Sequence, residues 1–493
     1  MLPGSRIWCM TTVWNTAAEV HETHTGVVFM FGDRAYKVKK PVVTDFLDFS
    51  SLDSRERVCA REVELNSRLA PGGYLGVGHV HSPGQEGPEP VVVMRRYPDT
   101  CRLRSMILRG EPVTDQLTAL AGMLATFHSE SHRSAEIDAC ATVSAVEDRW
   151  YENLDELDRS TGTVLPQQLV GEVRRLVTRY LDGRAALFAG RIAASRIVDG
   201  HGDLSTDDVF CAPEGPVPLD CLEFDDQLRF VDGIDDAAFL AMDLEFLGRQ
   251  DLAEVFLDRY RELAGDTVPR SLIDFYIAYR AVVRAKVDCI RVGQGHDASA
   301  ADARWHLKLA VNHLRAATVR LVIVGGGPGT GKTTLATALG ESLPAQVLST
   351  DVVRRELQAD GVIDGDVGAL NAGLYAPQTV ELVYKTMLRR AASLLANGVS
   401  VILDGTWREA SHRAAARAAA ERNAAAFVEL SCTTSLAAAQ KRIEDRGETA
   451  SDATPQIAAE ITAPTWPEAH RVDTGRPLAD SVADAQQICC LAV

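Results

Sequence analysis

Apolar positions along this chain switch between a period of two and a period near four, and the switches outline its parts. Residues 27–31 (VVFMF) form an apolar run, Gly32-Asp33 follows as a turn, and alternation resumes through Tyr36 and Val38. That pattern predicts a β-hairpin, and its period puts Lys37 and Lys39 on one face of their strand. Residues 54–69 (SRERVCAREVELNSRL) change to helical spacing. Residues 91–94 return to a strand, which ends in Arg95-Arg96-Tyr97, a hinge between two lobes. Apolar residues then recur at three and four through 114–189, and again through 239–263 and 271–287. Between these helical blocks, residues 197–210 (IVDGHGDLSTDDVF) place His201-Gly202-Asp203 in a loop, and the strand-like PVPLDCLEF (216–224) carries Asp220.

Beyond residue 290 the pattern changes again. RVGQGHDASA (291–300) interrupts the helical spacing, residues 303–317 read as a connecting helix, and residues 320–324 are an apolar, β-branched strand. Further strand-like runs at 345–350, 399–406 and 425–432 alternate with helical segments. Such alternation predicts a parallel sheet with helices on both faces and ligands at the carboxyl ends of the strands. The expected organisation is an α+β two-lobed domain over 1–290, a connecting helix and linker over 291–316, and an α/β domain over 317–493.

The second domain opens on LVIVGGGPGTGKTT, which contains G-x-x-x-x-G-K-S/T at residues 326–333. In a phosphate-binding loop, or P-loop, of this kind the strand stops, glycines let the backbone N–H groups turn inward, and a helix begins with its positive end toward the same hollow. Gly326, Gly327, Pro328, Gly329, Thr330, Gly331, Lys332, Thr333 and Thr334 are therefore expected around a nucleotide. Lys332 reaches the outer phosphates, and the Thr333 hydroxyl reaches Mg²⁺. A plain βα turn also uses glycines, but spacing, strand and Lys-Thr pair agree on ATP·Mg²⁺. Asp351 and Arg354 share a face at the start of the next helix. Asp351 is either a helix cap or the acceptor of a substrate hydroxyl proton, and Arg354 then clamps the acceptor or a phosphate. Asp404 ends its strand, either capping the turn or holding the magnesium shell in the Walker B manner. Arg442 and Arg446, one helical turn apart, are a phosphate-neutralising lid or a solvated face beside Glu444 and Glu448. This order resembles P-loop kinases of the gluconate, shikimate and zeta-toxin type.

Composition narrows the classes. At about 150 residues per domain, 493 residues suggest roughly two to four domains, and a hydrophobic share of 46% supplies their cores. A net charge of −17 argues against a general nucleic-acid binder, because counterion release needs a basic surface. The ten cysteines show no C-x-x-C pairs, so neither a zinc site nor a disulfide framework is indicated. Without an apolar run of about 18 residues or a signal-like opening, the expectation is a cytoplasmic protein with no membrane partner.

In the first domain, phosphoryl transfer needs one carboxylate to orient a hydroxyl and take its proton, and another to hold Mg²⁺ on the phosphates. Asp203 suits the first role and Asp220 the second. Glu62 is placed to pair with a strand lysine. Together, AYKVKKPV, REVELNSRLAP, HGDL and PLDCLEFDDQLRFVD make residues 20–290 resemble the aminoglycoside phosphotransferase and choline kinase superfamily, relatives of protein kinases. More narrowly, the two-domain order resembles the actinobacterial bifunctional aminoglycoside phosphotransferase/ATP-binding protein family. The resemblance implies a protein-kinase-like fold, with Lys37 anchoring phosphate, Glu62 as its partner, Asp203 as base and Asp220 as metal ligand. Asp208 stands where the H-G-D-x-x-x-x-N pattern has its metal-binding asparagine. Glu223 and Asp232 lie near as candidates for a second metal site, and Glu223, Asp225 and Asp226 as candidates for meeting a cationic acceptor. The leading expectation is an ATP- and Mg²⁺-dependent phosphotransferase acting on a small-molecule hydroxyl at two sites. The other is a nucleotide-switched regulatory protein whose first domain is a degenerate binding module.

Overall fold

A computed structural model of the chain describes residues 19–22, 26–42, 49–81, 87–365, 373–445 and 466–492. It divides into two compact units, residues 1–132, 198–231 and 243–265 in one, and residues 133–197, 232–242 and 266–493 in the other.

The first unit is built on an antiparallel sheet. Strands β1 (Glu19–Glu22), β2 (Gly26–Phe31), β3 (Arg34–Lys39), β4 (Tyr74–Val80) and β5 (Glu89–Arg95) run in the order β1-β2-β3-β5-β4, and α1 (Leu52–Ser67) packs on β4 and β5. The β2–β3 hairpin turns at Gly32-Asp33, as the alternation predicts. Ser51 starts α1 by accepting the Ser54 N–H at 3.1 Å. Cys59 of that helix meets Ala35, Tyr74, Val92 and Met94 of the sheet in one apolar cluster.

After the sheet come α2 (Leu103–Leu108), α3 (Thr114–Glu130), α4 (Ala135–Ala139), α5 (Val143–Asp158), α6 (Gln167–Asp182) and α7 (Ala185–Ala193). Short strands β6 (Ile197–Asp199), β7 (Val209–Ala212), β8 (Gly215–Pro218) and β9 (Phe230–Asp232) follow, then α8 (Gly233–Phe246), α9 (Gln250–Ala264), α10 (Arg270–Gly293) and α11 (Ser299–Ala317). In the first unit, α3 packs on α9, and β7–β8 form a hairpin where the apolar run from 216 suggests a single longer strand. In the second, α10 and α11 lie together, tied by buried His306–Asp288 and His313–Asp274 hydrogen bonds of 2.8 and 2.9 Å.

The rest of the second unit is the α/β part: β10 (Arg320–Gly325), α12 (Lys332–Ser342), β11 (Ala345–Ser349), α13 (Thr350–Ala359), α14 (Pro377–Ala396), β12 (Ser400–Asp404), α15 (Ala410–Arg422), β13 (Ala426–Thr433), α16 (Leu436–Glu444), β14 (His470–Asp473) and α17 (Leu478–Leu491). All strand pairs are parallel, in the order β11-β12-β10-β13-β14. Val322, Val324, Ile402, Val428 and Leu430 pack under Leu335 and Leu339 of α12. The Arg320 guanidinium is buried and has main-chain partners throughout: Cys489 O at 3.1 Å, Thr318 O at 2.6 Å and Arg315 O at 3.0 Å. The fold is thus α+β on an antiparallel sheet, followed by an α/β P-loop domain with a parallel sheet. Among the described residues no helix is long and apolar enough to cross a membrane.

Candidate active sites

In the first unit, Lys37 and Lys39 leave β3 on one side and share Glu62 of α1. Glu62 Oε1 lies 2.9 Å from Lys37 Nζ, and Oε2 lies 2.6 Å from Lys39 Nζ. Lys37 also reaches Asp220 Oδ1 at 2.7 Å, and Lys39 reaches Glu223 Oε1 at 2.5 Å. Lys39 and Glu62 are fully buried. Burial alone opposes the charge on Lys37, but the carboxylates of Asp220, Glu62 and Glu223 outweigh it and hold the ammonium well above its ordinary range. Asp220 moves the other way, lowered chiefly by the charge of Lys37.

Asp220 does not end a strand, as the apolar run suggests. It lies two residues past β8 with a left-handed backbone (φ 62°), and its N–H donates to the Tyr74 hydroxyl at 3.1 Å. The next N–H, of Cys221, donates to Asn66 Oδ1 at 2.8 Å, and Asn66 Nδ2 donates to Glu62 O at 2.9 Å. Helix α1 therefore fixes Glu62 and the Asp220 turn together.

His201 accepts the Asp203 N–H at Nδ1 (3.3 Å) and faces the Leu219 carbonyl with Nε2 (3.1 Å), which assigns the ring proton to Nε2. The loop after Asp203 is fastened by Thr206, whose N–H and hydroxyl both donate to Asp243 Oδ2, at 2.8 and 2.5 Å. Asp208 accepts the Ser205 hydroxyl at 2.6 Å. Burial, then the charges of Asp220 and Asp203, raise its carboxyl well above the usual carboxylate range. Asp203, Asp208 and Asp220 thus form one electrostatic group. The neighbouring carboxylates are already engaged. Glu223 holds Lys39, Asp225 caps a turn by accepting the Gln227 N–H at 2.9 Å, and Asp226 pairs with Arg229 at 2.6 Å. Asp232 is buried against Arg191 in the second unit, at 2.7 Å. Each of these four has a partner within the chain.

In the second unit, residues 326–331 form the loop between β10 and α12, and Lys332, Thr333 and Thr334 open the helix. Gly329 has φ 73°, and a side chain there would collide with Ala439 O of α16. A side chain on Gly325 would strike the Trp466 ring. Lys332 Nζ lies back across the loop on Gly327 O at 2.9 Å, and Thr333 Oγ1 donates to Asp404 Oδ2 at 2.6 Å. Burial raises the Asp404 carboxyl, the Thr333 bond and Lys332 partly offset this, and the charge of Asp351 adds to it. Asp351 accepts Arg354 Nη1 at 2.6 Å. Arg442 donates to Thr474 O at 2.7 Å and lies beside Gly331. Arg446 lies outside the described residues.

Among the described residues no group of three or more His, Cys, Asp or Glu is arranged to hold a metal alone. Magnesium does not need one, because it binds through one or two oxygen ligands and shares the rest with phosphates and water. The buried Asp404 carboxylate beside the Thr333 hydroxyl, at the mouth of the loop, is such a donor set. Asp208 and Asp220 are a second, crowded one.

Comparison with known proteins adds the lineage. Residues 321–463 match the AAA domain family. Over 472 residues, 95% of each chain, the sequence is 52% identical to the uncharacterized protein Rv2004c of Mycobacterium tuberculosis, and equally to Mb2027c of Mycobacterium bovis. The chain belongs to this mycobacterial protein family. Similar solved structures include a choline/ethanolamine kinase family protein from Mesorhizobium loti, with 14% identity and TM-score 0.36 over 62% of this chain and 94% of that one. A gluconokinase from Sinorhizobium meliloti gives 20% and 0.26 over 35% and 91%. The APS kinase of Mycobacterium tuberculosis gives 22% and 0.27 over 35% and 97%.

Sequence reasoning reaches Lys37, Glu62, Lys332, Thr333 and Asp404 through motif and spacing. It does not find Tyr74, Thr474 or Trp407: Tyr74 meets the Asp220 N–H from 146 residues earlier, the Thr474 hydroxyl bonds Thr330 O and Thr433 O, and Trp407 is held by Tyr384 and Leu403. Trp407 carries the one legible signal, since D-G-T-W after a strand marks a tight turn. The buried Trp407 has φ 52° and is held by Tyr384 Oη on its N–H (3.2 Å) and Leu403 O on its indole N–H (3.2 Å).

Proposed function

We propose that the protein is an ATP-dependent phosphotransferase with two sites, each passing the γ-phosphoryl group to a hydroxyl of a small molecule. The observation that carries this reading is the P-loop, where Lys332 already spans the loop and Thr333 already meets the buried Asp404. Magnesium bound with the nucleotide supplies charge neutralisation on the β- and γ-phosphates. Thr333 and Asp404 would hold it in one site, Asp208 and Asp220 in the other. In the P-loop site, loop N–H groups cradle the phosphates and Lys332 exchanges Gly327 O for the outer oxygens. Arg442 balances charge near Gly331. Asp351 takes the acceptor proton as the new O–P bond forms, and ADP leaves with the electrons of the broken P–O bond. In the first unit, Lys37 anchors phosphate against Glu62 while Asp203 orients the acceptor hydroxyl and takes its proton.

The test is ADP release across a panel of sugars, amino alcohols and aminoglycosides, with Asp203→Asn and Lys332→Ala made separately. Each substitution is expected to remove its own acceptor-dependent share. A second reading, a regulatory protein whose first unit only binds, is favoured by one observation: Asp208 adds a third carboxylate beside Asp203 and Asp220. It prevails if Lys332→Ala alone abolishes all turnover.

A further inference from the structure

Two lysines leave β3 on the same side, but only one of them is open to a ligand. The Lys37 side chain is 12% exposed, and its partner Asp220 is 52% exposed. Lys39 has no exposed side-chain surface: Glu62 Oε2 and Glu223 Oε1 take its ammonium, and the Phe49 ring lies 5.8 Å away. A cation enclosed in this way reaches no phosphate, and what it acts on is its two carboxylates. One of them, Glu62, is the partner of Lys37 through its other oxygen. The second, Glu223, stands three residues beyond Asp220.

Residues 220–223 belong to no helix or strand, so the shape of this segment is set by what holds each residue. The Asp220 N–H donates to Tyr74, the Cys221 N–H to Asn66, and the Leu222 N–H to His201 O at 3.1 Å. Leu222 O accepts Arg229 Nη1 at 2.8 Å. These bonds fasten the segment to β4, α1 and the His201 loop. The Lys39–Glu223 pair adds a tie to β3, the strand that also carries Lys37. It fixes Glu62 at the same time, because Lys39 holds one oxygen of that carboxylate while Lys37 holds the other.

Given nucleotide and magnesium in the first unit, the part of the proposed function on which the inference rests, we propose that Lys39 and Glu223 are positioning residues that set Asp220 against Lys37. Lys37 alone of the two lysines contacts phosphate. Lys39 and Glu223 act on the metal through Asp220, and groups that orient a metal ligand typically account for about 10–100-fold in metal affinity.

The experiment follows, by calorimetric titration, the binding of a non-hydrolysable ATP analogue to the full chain at a series of Mg²⁺ concentrations, in a Lys332→Ala background so that the first unit is read. Glu223→Ala is expected to raise the Mg²⁺ concentration for half-maximal binding about tenfold, with the affinity for the analogue at saturating Mg²⁺ unchanged. Glu223→Gln, which still accepts a hydrogen bond from Lys39, is expected to recover part of that shift. Lys39→Met, measured below its melting transition, moves the Mg²⁺ dependence in the same direction as Glu223→Ala. Lys37→Met is expected to do the reverse and weaken the analogue at saturating Mg²⁺. Partial unfolding alone lowers the amount of competent protein and moves neither constant. An unchanged Mg²⁺ dependence in Glu223→Ala overturns the inference. So does a Lys39→Met chain that loses analogue affinity at saturating Mg²⁺ as Lys37→Met does. Phosphotransfer is read separately, as the ADP release that Asp203→Asn removes: if that share is absent while the Mg²⁺ shift persists, phosphotransfer in the first unit falls and the positioning role stands. If the first unit binds no analogue at any Mg²⁺ concentration, both fall.

Discussion

Replacing Lys39 by methionine removes one of the two cations that share Glu62 while keeping the length of the side chain. Both Lys39 and Glu62 are completely out of solvent, and Glu223, the other partner, is 11% exposed. Breaking a buried pair by deleting one member costs about 3–5 kcal/mol, because the remaining charge is left without compensation. Here Lys37 keeps its hold on Glu62 Oε1, and Glu223 has partial access to water, so the lower end, about 3 kcal/mol, is expected. For a transition involving some 150–250 residues that corresponds to a fall in Tm of roughly 6–12 °C. Calorimetry gives the shift, and hydrogen exchange in β3 and α1 assigns it to the first unit. Adding Glu223→Gln to Lys39→Met should restore part of the loss, since one of the stranded charges is then gone. A loss below about 1 kcal/mol, or no recovery in the double variant, would refute the view that the lysine is the buried counter-ion of both glutamates.

Further outcomes come from the same geometry. The Asp208 carboxyl is raised in the folded protein, so its ionisation works against folding above its ordinary value of 3.8, and the penalty grows until pH passes the folded value. Asp208→Asn should therefore stabilise more at pH 8 than at pH 4; melting curves whose difference stays flat across that range count against the reading. Burial pushes the Cys59, Cys432 and Cys489 thiols up to about 12. Iodoacetamide at pH 8, followed by mass spectrometry, should label the exposed Cys490 in the native protein and these three only after unfolding. Gly329→Ala forces a strained backbone, about 1–3 kcal/mol, and a collision with Ala439 O. Calorimetric titration with a non-hydrolysable ATP analogue should show affinity reduced at least tenfold, and an unchanged affinity would exclude the tight loop as the binding element.

Where local pattern and tertiary role coincide, the sequence is readable. The β2–β3 hairpin, the P-loop and four of the five parallel strands are legible because apolar period and turn residues fix them locally. β14 is not, since only Val472 of its four residues is buried. The Asp220 turn reads as a strand end because the groups that meet it, the Tyr74 hydroxyl and the Lys37 ammonium, lie almost 150 or more residues earlier in the chain. Lys37 and Lys39 look equivalent in sequence, and only their partners distinguish them: one shares the half-exposed Asp220, the other is enclosed by glutamates. The acidic run at 223–226 suggests a pocket for a cation, and Lys39 pairs with Glu223 while Arg61 and Arg229 pair with Asp226.

The Arg320 guanidinium joins the stretch before β10 to the tail of α17, so the point where the α/β domain is entered and the point where its last helix finishes are neighbours in space. A module with adjacent ends can be spliced into, cut out of or rewired within a longer chain without disturbing its interior. Lysine offers no planar fork to meet three carbonyls at once, and with it in place that adjacency would loosen before the nucleotide loop itself changed.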